Sequence, residues 1–69
     1  MTLLEVKKNL NKPVLYSSQK LGIKNRECLL NGCILRMDEY GNLYYSVELK
    51  EIGHNSVIVT LMENVEVKE

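Results

Sequence analysis

The chain has 69 residues and carries nine Lys and Arg against nine Asp and Glu, so it holds one small domain of formal net charge zero. Hydrophobic residues make up 45% and charged residues 26%, which excludes the composition typical of disordered chains. No apolar run approaches the roughly 20 residues of a membrane-spanning helix, and no secretory signal pattern opens the chain. We therefore expect a cytoplasmic protein without membrane contact, and its small size keeps self-association open.

The charges are divided unevenly along the chain. Residues 1–35 carry six Lys and Arg against two Glu, whereas residues 36–69 carry three against seven Asp and Glu. The basic side chains of the first half are Lys7, Lys8, Lys12, Lys20, Lys24 and Arg26. A basic first half is suited to a surface that faces phosphate groups. A molecule with one basic and one acidic half is equally suited to head-to-tail contact, or its charges serve only solubility.

The first eleven residues predict a short helix. Thr2 and Glu5 have the spacing of a capping box, and three apolar residues fall on one helical face: Leu3, Val6 and Leu10. Asn11 can take the left-handed conformation that ends a helix, and Pro13 prevents its continuation. A strand over residues 3–6 is the alternative.

After Pro13 the pattern changes to short strands. A brief strand over Val14 to Ser17 precedes a polar loop, and a longer strand begins at Glu27 and ends at Asp38. Two further strands, over residues 43–50 and 57–61, alternate apolar and polar residues with a period of two.

Loop lengths predict how these strands pair. Three-residue loops at Tyr40 to Asn42 and at Gly53 to Asn55 bring the odd-numbered residues of all three strands to one side. We therefore predict that one core contains Leu35, Val47, Leu49, Val59 and Leu61.

The dipeptide Asn31-Gly32 has two interpretations. It matches a two-residue hairpin turn, which would divide the long strand, or it marks a bend within a single strand, which we prefer. The segment Leu61 to Val65 resembles a tight helical turn, and residues 65–68 form a last strand. The predicted fold class is all-β: a small SH3-like five-stranded barrel with a short N-terminal helix, spanning residues 1–69 as a single domain.

No combination of residues indicates catalysis. His54 lies in a predicted turn without a partner nucleophile or acid, and Cys28, Cys33 and His54 fall short of the four ligands of a structural zinc site. Five residues along one strand place the two cysteines too far apart, and on opposite faces, for a disulfide. We expect packed free thiols, no cofactor, no metal and no enzymatic activity.

The remaining candidate for function is the surface. The predicted meander carries Arg36, Tyr44 and Met62 on its outer face, with Tyr40 in a turn beside them. Tyr, Met and Arg are enriched at protein interfaces, and exposed aromatics among charges also suit nucleic acid. These four residues are the predicted protein-interaction site.

Two stretches carry a resemblance to a known class. The first is Gly32-Cys33-Ile34-Leu35-Arg36, and the second is Asn55-Ser56-Val57-Ile58-Val59 followed by Leu61 to Val65. Two dipeptides between these stretches, Tyr44-Tyr45 and Glu48-Leu49, add to the resemblance. The half of the chain from Asn31 to Val65 thereby resembles short proteins encoded on firmicute conjugative and integrative elements. That class has no established activity, so the resemblance implies only an accessory role on a mobile element.

The element order is also similar to that of Sm-like RNA-binding proteins and of Tudor and other SH3-like interaction barrels. The Sm pattern of a glycine-rich second strand is not matched between Leu35 and Tyr44. A shared fold does not select a function. Our leading hypothesis is a non-enzymatic interaction or assembly module that contacts a protein partner or itself, and the alternative is a nucleic-acid-binding barrel that uses the basic first half.

Overall fold

The computed structural model describes residues 1–68, which form one short helix and five antiparallel strands. In chain order the elements are α1 (Leu3–Asn9), β1 (Pro13–Ser18), β2 (Ile23–Met37), β3 (Leu43–Glu51), β4 (Val57–Leu61), a 3₁₀ helix (Met62–Asn64) and β5 (Val65–Val67). The predicted mostly-β architecture with an N-terminal helix and a tight turn before the last strand is confirmed.

The five strands form a single open sheet in the order β4-β3-β2-β1-β5. β5 pairs with β1 and β4 pairs with β3, and the 3₁₀ helix connects these two edge strands. Within residues 1–68 the edges do not pair with each other, so the sheet does not close into the barrel that the strand pattern predicted. The three residues of β5 pair with β1 on the edge opposite β2.

Helix α1 is stabilised by both halves of the predicted capping box. The Glu5 amide donates to Thr2 Oγ1 (3.2 Å), and the Thr2 amide donates to Glu5 Oε1 (2.9 Å). Asn11 has a φ of 64°, the predicted left-handed conformation at the end of the helix. Its amide donates to the Leu30 carbonyl (2.7 Å), and this hydrogen bond connects the chain after the helix to β2. The helix is confirmed, and the alternative strand over residues 3–6 is wrong.

The long strand β2 contains the predicted bend. The β2–β3 register shifts between Leu30 and Gly32, so Asn31 is the extra residue of a β-bulge and no hairpin forms there. The bulge also inverts the alternation, because Cys28 lies in the core before it and Cys33 packs against the core after it. Both cysteines therefore lie on the core side of the sheet, and their predicted placement on opposite faces is wrong.

The predicted β2–β3 register is wrong by two residues. Met37 lies opposite Leu43 instead of Tyr45. The Asp38 amide donates to the Asn42 carbonyl (2.9 Å), so the three-residue loop begins one residue earlier than predicted. The third loop residue is a glycine with a φ of 82°, the left-handed position that ends this type of hairpin turn.

The predicted β3–β4 register is wrong by one residue. Leu49 lies opposite Ile58 instead of Val59. The Glu51 amide donates to the Ser56 carbonyl (3.0 Å), so the loop between these two residues has four residues instead of three. A one-residue slip reverses the faces of a strand. Three apolar residues of β4 consequently point away from the core: Val57, Val59 and Leu61.

The core lies between the sheet and α1. Its buried members are Val6, Val14, Tyr16, Cys28, Leu30, Val47, Leu49 and Val65. Val47 and Leu49 are fully buried, as predicted. Leu35, Val59 and Leu61 are 55%, 45% and 41% exposed, so their predicted place in the core is wrong. The two register shifts account for these three errors.

Candidate interaction surfaces

The face of the sheet opposite the core carries an exposed apolar patch, which we call the outer patch. Its members come from β2, β3 and β4 and expose between 36% and 51% of their surface: Ile34, Tyr44, Val57, Val59 and Leu61. Ile34 and Leu61 lie on either side of Ser46 in the strand registers, and Ser46 is only 3% exposed. These neighbours cover the centre of the face.

Charged residues lie at both ends of the outer patch. Arg36 lies opposite Tyr44 at one end, and Lys50 lies opposite Val57 at the other. Glu48 lies beside Val59 and accepts a hydrogen bond from Asn31 Nδ2 (2.7 Å) on the bulge. The result is an apolar centre with a polar rim, which is the usual composition of protein interfaces.

The predicted interaction residues separate into two groups. Arg36 and Tyr44 are cross-strand neighbours, and Tyr40 is 81% exposed in the β2–β3 turn. Met62 was predicted opposite Ser46, but Leu61 occupies that register position. Met62 lies in the 3₁₀ helix and packs against the core, while its carbonyl accepts a hydrogen bond from the Met1 backbone nitrogen (3.0 Å).

A second apolar surface lies on the end of the β2–β3 hairpin. Residues 35–45, which we call the ribbon, extend past the segments that pair with β1 and β4. The core-side face of the ribbon carries two cross-strand pairs, Leu35 with Tyr45 and Met37 with Leu43. Their exposures are 55%, 41%, 64% and 62%, respectively. We call these four residues the ribbon patch.

The turn at the tip of the ribbon is closed by Asp38. Its Oδ1 accepts hydrogen bonds from the amides of Tyr40 and Asn42, both at 2.9 Å. The Asn42 amide, followed by that of Tyr40, stabilises the charged carboxylate and lowers the pKa of Asp38. This local bonding fixes the loop and thereby determines which ribbon residues face each other.

The basic residues of the first half are distributed over several elements. Lys7 and Lys8 lie on α1, Lys12 follows it, and Lys20 and Lys24 lie around the β1–β2 turn. All five are exposed, and none forms an ion pair within residues 1–68. Arg26 differs because its guanidinium lies 3.6 Å from the Glu51 carboxylate.

An open cleft of about 520 Å³ lies beside the β1–β2 turn. Most residues that line it have polar side chains, although apolar atoms supply most of the lining surface: Ser17, Ser18, Gln19, Gly22, Ile23, Lys24, Asn25 and Glu66. The Asn25 amide donates to Ser17 Oγ (2.9 Å), and the Leu21 amide donates to Ser18 Oγ (3.3 Å). Both hydroxyls therefore serve the local turn.

The cysteines and the histidine form no common centre. Cys28 is buried, and removal from water, followed by the nearby Glu51 charge, raises the pKa of its thiol. Cys33 is a partly buried free thiol. His54 is exposed in the β3–β4 turn, as predicted. Across residues 1–68 no group of His, Cys, Asp and Glu side chains is arranged to hold a metal ion.

Helix α1 has seven residues, and in the part of the chain that the structure describes no helix is long and apolar enough to cross a membrane. Comparisons of the chain with models of protein families, with curated proteins and with solved structures found no match.

Sequence analysis missed most of the outer patch and all of the ribbon patch. A usable signal exists for part of the outer patch, because β4 reads Val-Ile-Val-Thr-Leu and has apolar residues on both faces. A strand at the edge of a small sheet buries one of those faces at most. For the ribbon patch the composition gives no equivalent signal, since those residues have the same apolar character as core residues.

Proposed function

We propose that this protein is a non-enzymatic interaction module of the SH3-like class, and that its outer patch binds a protein partner. The observation that carries the proposal is the outer patch itself, an apolar surface of five side chains across three strands with Arg36 and Lys50 at its ends. Strand order supports the SH3-like assignment, since β5 follows a 3₁₀ helix and returns to β1.

Two further parts of the proposal rest on the sequence. The free thiols of Cys28 and Cys33 are compatible with a reducing compartment and support a cytoplasmic location. The resemblance of residues 31–65 to proteins of firmicute conjugative and integrative elements supports an accessory role on a mobile element. Neither part is needed for the outer patch to bind a partner.

The test compares partner capture by matched variants. The double variant Tyr44→Ala and Leu61→Ser removes two members of the outer patch, and Met62 is left unchanged because it packs against the core. Since a few central side chains dominate binding at most interfaces, capture of the cognate protein should fall by at least about tenfold. Quantitative mass spectrometry of the captured proteins, followed by calorimetry with the purified partner, measures the loss.

Leu21→Ser is the matched control, because Leu21 is 66% exposed in the β1–β2 turn, outside the outer patch. It should capture the same protein as the wild type. Circular dichroism should show that all variants remain folded. If the wild type and the double variant capture the same proteins in equal amounts, the outer patch is not the binding surface and the proposal is wrong.

Nucleic-acid binding is the second candidate, favoured by the five exposed lysines that form no ion pair within residues 1–68. Binding of this kind releases counterions and weakens steeply with salt. Labelled single-stranded RNA and duplex DNA, titrated at low and at physiological salt, test it directly. Lys7→Gln with Lys8→Gln should weaken such binding and reduce its salt dependence, whereas the outer-patch variant should not. Absence of binding at low salt removes this candidate.

A further inference from the structure

The ribbon patch is a surface separate from the outer patch and lies on the opposite face of the sheet. The ribbon is two-stranded from residue 35 to residue 45, because β1 pairs with β2 only as far as Leu29, and β4 pairs with β3 only from Ser46, which lies opposite Ile34. A two-stranded hairpin is marginally stable in water unless its apolar face is covered. Nothing in residues 1–68 covers this one, since its four members are 41–64% exposed.

We propose that the ribbon patch of one copy packs face to face against the ribbon patch of a second copy, forming a two-fold symmetric dimer. This proposal rests on the same premise as the proposed function, namely that exposed apolar surface marks an interface, but it concerns a different surface. The two proposals can therefore fail separately.

The composition of the ribbon patch favours a second copy over other occupants. It consists of two Leu, one Met and one Tyr and contains no charged residue. Homodimer interfaces are more apolar than other interfaces, and charged residues are depleted at their centres. The formal net charge of the chain is zero, so two copies approach without long-range repulsion.

Two-fold symmetry allows the ribbon patch to pack against itself. Sheets pack face to face at about 10 Å with their strands within about 30° of each other, and a two-fold axis brings the same patch of both copies together. In such a dimer the four residues of the ribbon patch of one copy pack against the same four residues of the other copy. The two ribbons then form the four-strand, two-layer unit that each hairpin lacks alone.

The exposed area sets the strength of the expected dimer. Four large side chains at these exposures present about 400 Å², which is within the size range of the largest apolar patch on a typical monomer, and such patches are often functional. Two copies would bury about 800 Å² in total, which is less than the roughly 1,200 Å² of a stable interface and lies in the range of weak, transient ones. We therefore expect a weak, reversible dimer with a dissociation constant of about ten to one hundred micromolar.

Sedimentation equilibrium over a wide range of concentrations tests the proposal. The wild type should pass from monomer to dimer as its concentration rises. Met37→Lys places a charge in the ribbon patch and should weaken the dimer at least tenfold, because an unpaired charge is costly to bury. Leu21→Lys is the matched control, since Leu21 is 66% and Met37 is 64% exposed, and should dimerise as the wild type does.

A second variant and a second measurement test the ribbon-patch dimer independently of Met37→Lys. Leu43→Thr retains high strand propensity and should also weaken the dimer. This variant tests the ribbon patch even if Met37→Lys disturbs the fold. Hydrogen exchange should show added protection across residues 35–45 as concentration rises. Added protection along β4 instead would mean edge-to-edge pairing of strands and would overturn the proposal.

The proposal is also wrong if the wild type stays monomeric up to about 500 µM, well above the expected dissociation constant. It is equally wrong if both ribbon variants dimerise like the wild type, or if Leu21→Lys abolishes the dimer. Met37→Lys should still capture the partner of the outer patch. Loss of dimerisation with capture intact separates this inference from the proposed function.

Discussion

The two ends of the β2–β3 hairpin differ in how they are held. Near the turn joining β3 and β4, Leu30 and Leu49 lie opposite each other and are fully buried between the sheet and α1. At the other end, Met37 and Leu43 lie opposite each other and are more than 60% exposed. The side chains are of the same kind, and both pairs belong to the same two strands.

The difference comes from the neighbours of each pair. Leu30 and Leu49 have β1, β4 and the helix around them, whereas the ribbon has only its own two strands. Apolar surface stabilises a fold in proportion to the area removed from water, so the buried end supplies the stability. The exposed end is available for contact with another molecule.

The largest expected effect lies at the buried end. Leu49→Ala should lower the free energy of unfolding by about 2 to 5 kcal/mol, because it removes buried methyl groups and leaves a cavity. Leu43→Ala is the matched control, because Leu43 lies on the same strand and is 62% exposed. It should change the free energy of unfolding by no more than about 0.5 kcal/mol. Urea denaturation below the dimer dissociation constant measures both. Equal losses would contradict the contrast between the two ends.

A smaller effect is expected where α1 is held against the core. Thr2→Ala removes the N-cap hydroxyl that accepts from the Glu5 amide, and should cost about 1 kcal/mol. Leu4→Ala, on the same helix and 61% exposed, should cost less than about 0.5 kcal/mol. Thermal and urea unfolding measure the pair. A larger loss for Leu4→Ala would mean that this side chain is packed in solution.

The smallest effect concerns the tip of the ribbon and depends on pH. Two loop amides hold the folded pKa of Asp38 below its ordinary value of 3.8, so this carboxylate stabilises the turn above that value. The stabilisation should be lost as pH falls through the lowered pKa. Amide shifts of Tyr40 and Asn42 should report the change, and Asp38→Asn should abolish this titration.

Glu5 requires separate control in that experiment. The Thr2 amide lowers the pKa of Glu5 as well, so the capping box weakens in a similar acidic range. The Thr2 amide shift reports Glu5, and the Tyr40 amide shift reports Asp38. If the Tyr40 amide titrates identically in Asp38→Asn, Asp38 does not control the turn.

Local sequence determined the order and the ends of most elements. The capping box of Thr2 and Glu5, the left-handed Asn11 and the bulge at Asn31 all depend on residues close to one another in the chain. Short-range hydrogen bonding and backbone preferences are enough to specify such features. Arg36 and Tyr44 were placed on one face because both belong to strands joined by a short turn.

Tertiary structure alone decided the registers, and with them both apolar patches. β4 has apolar residues on both faces, and a bulge inverts the alternation within β2, so the two-residue period did not identify the side facing the core. Backbone bonds at Asp38 and at Glu51 selected one register among several with similar apolar matching. Whether an apolar side chain such as Leu35 is buried depends on which strands reach it, because burial is a property of the packed sheet and not of the residue.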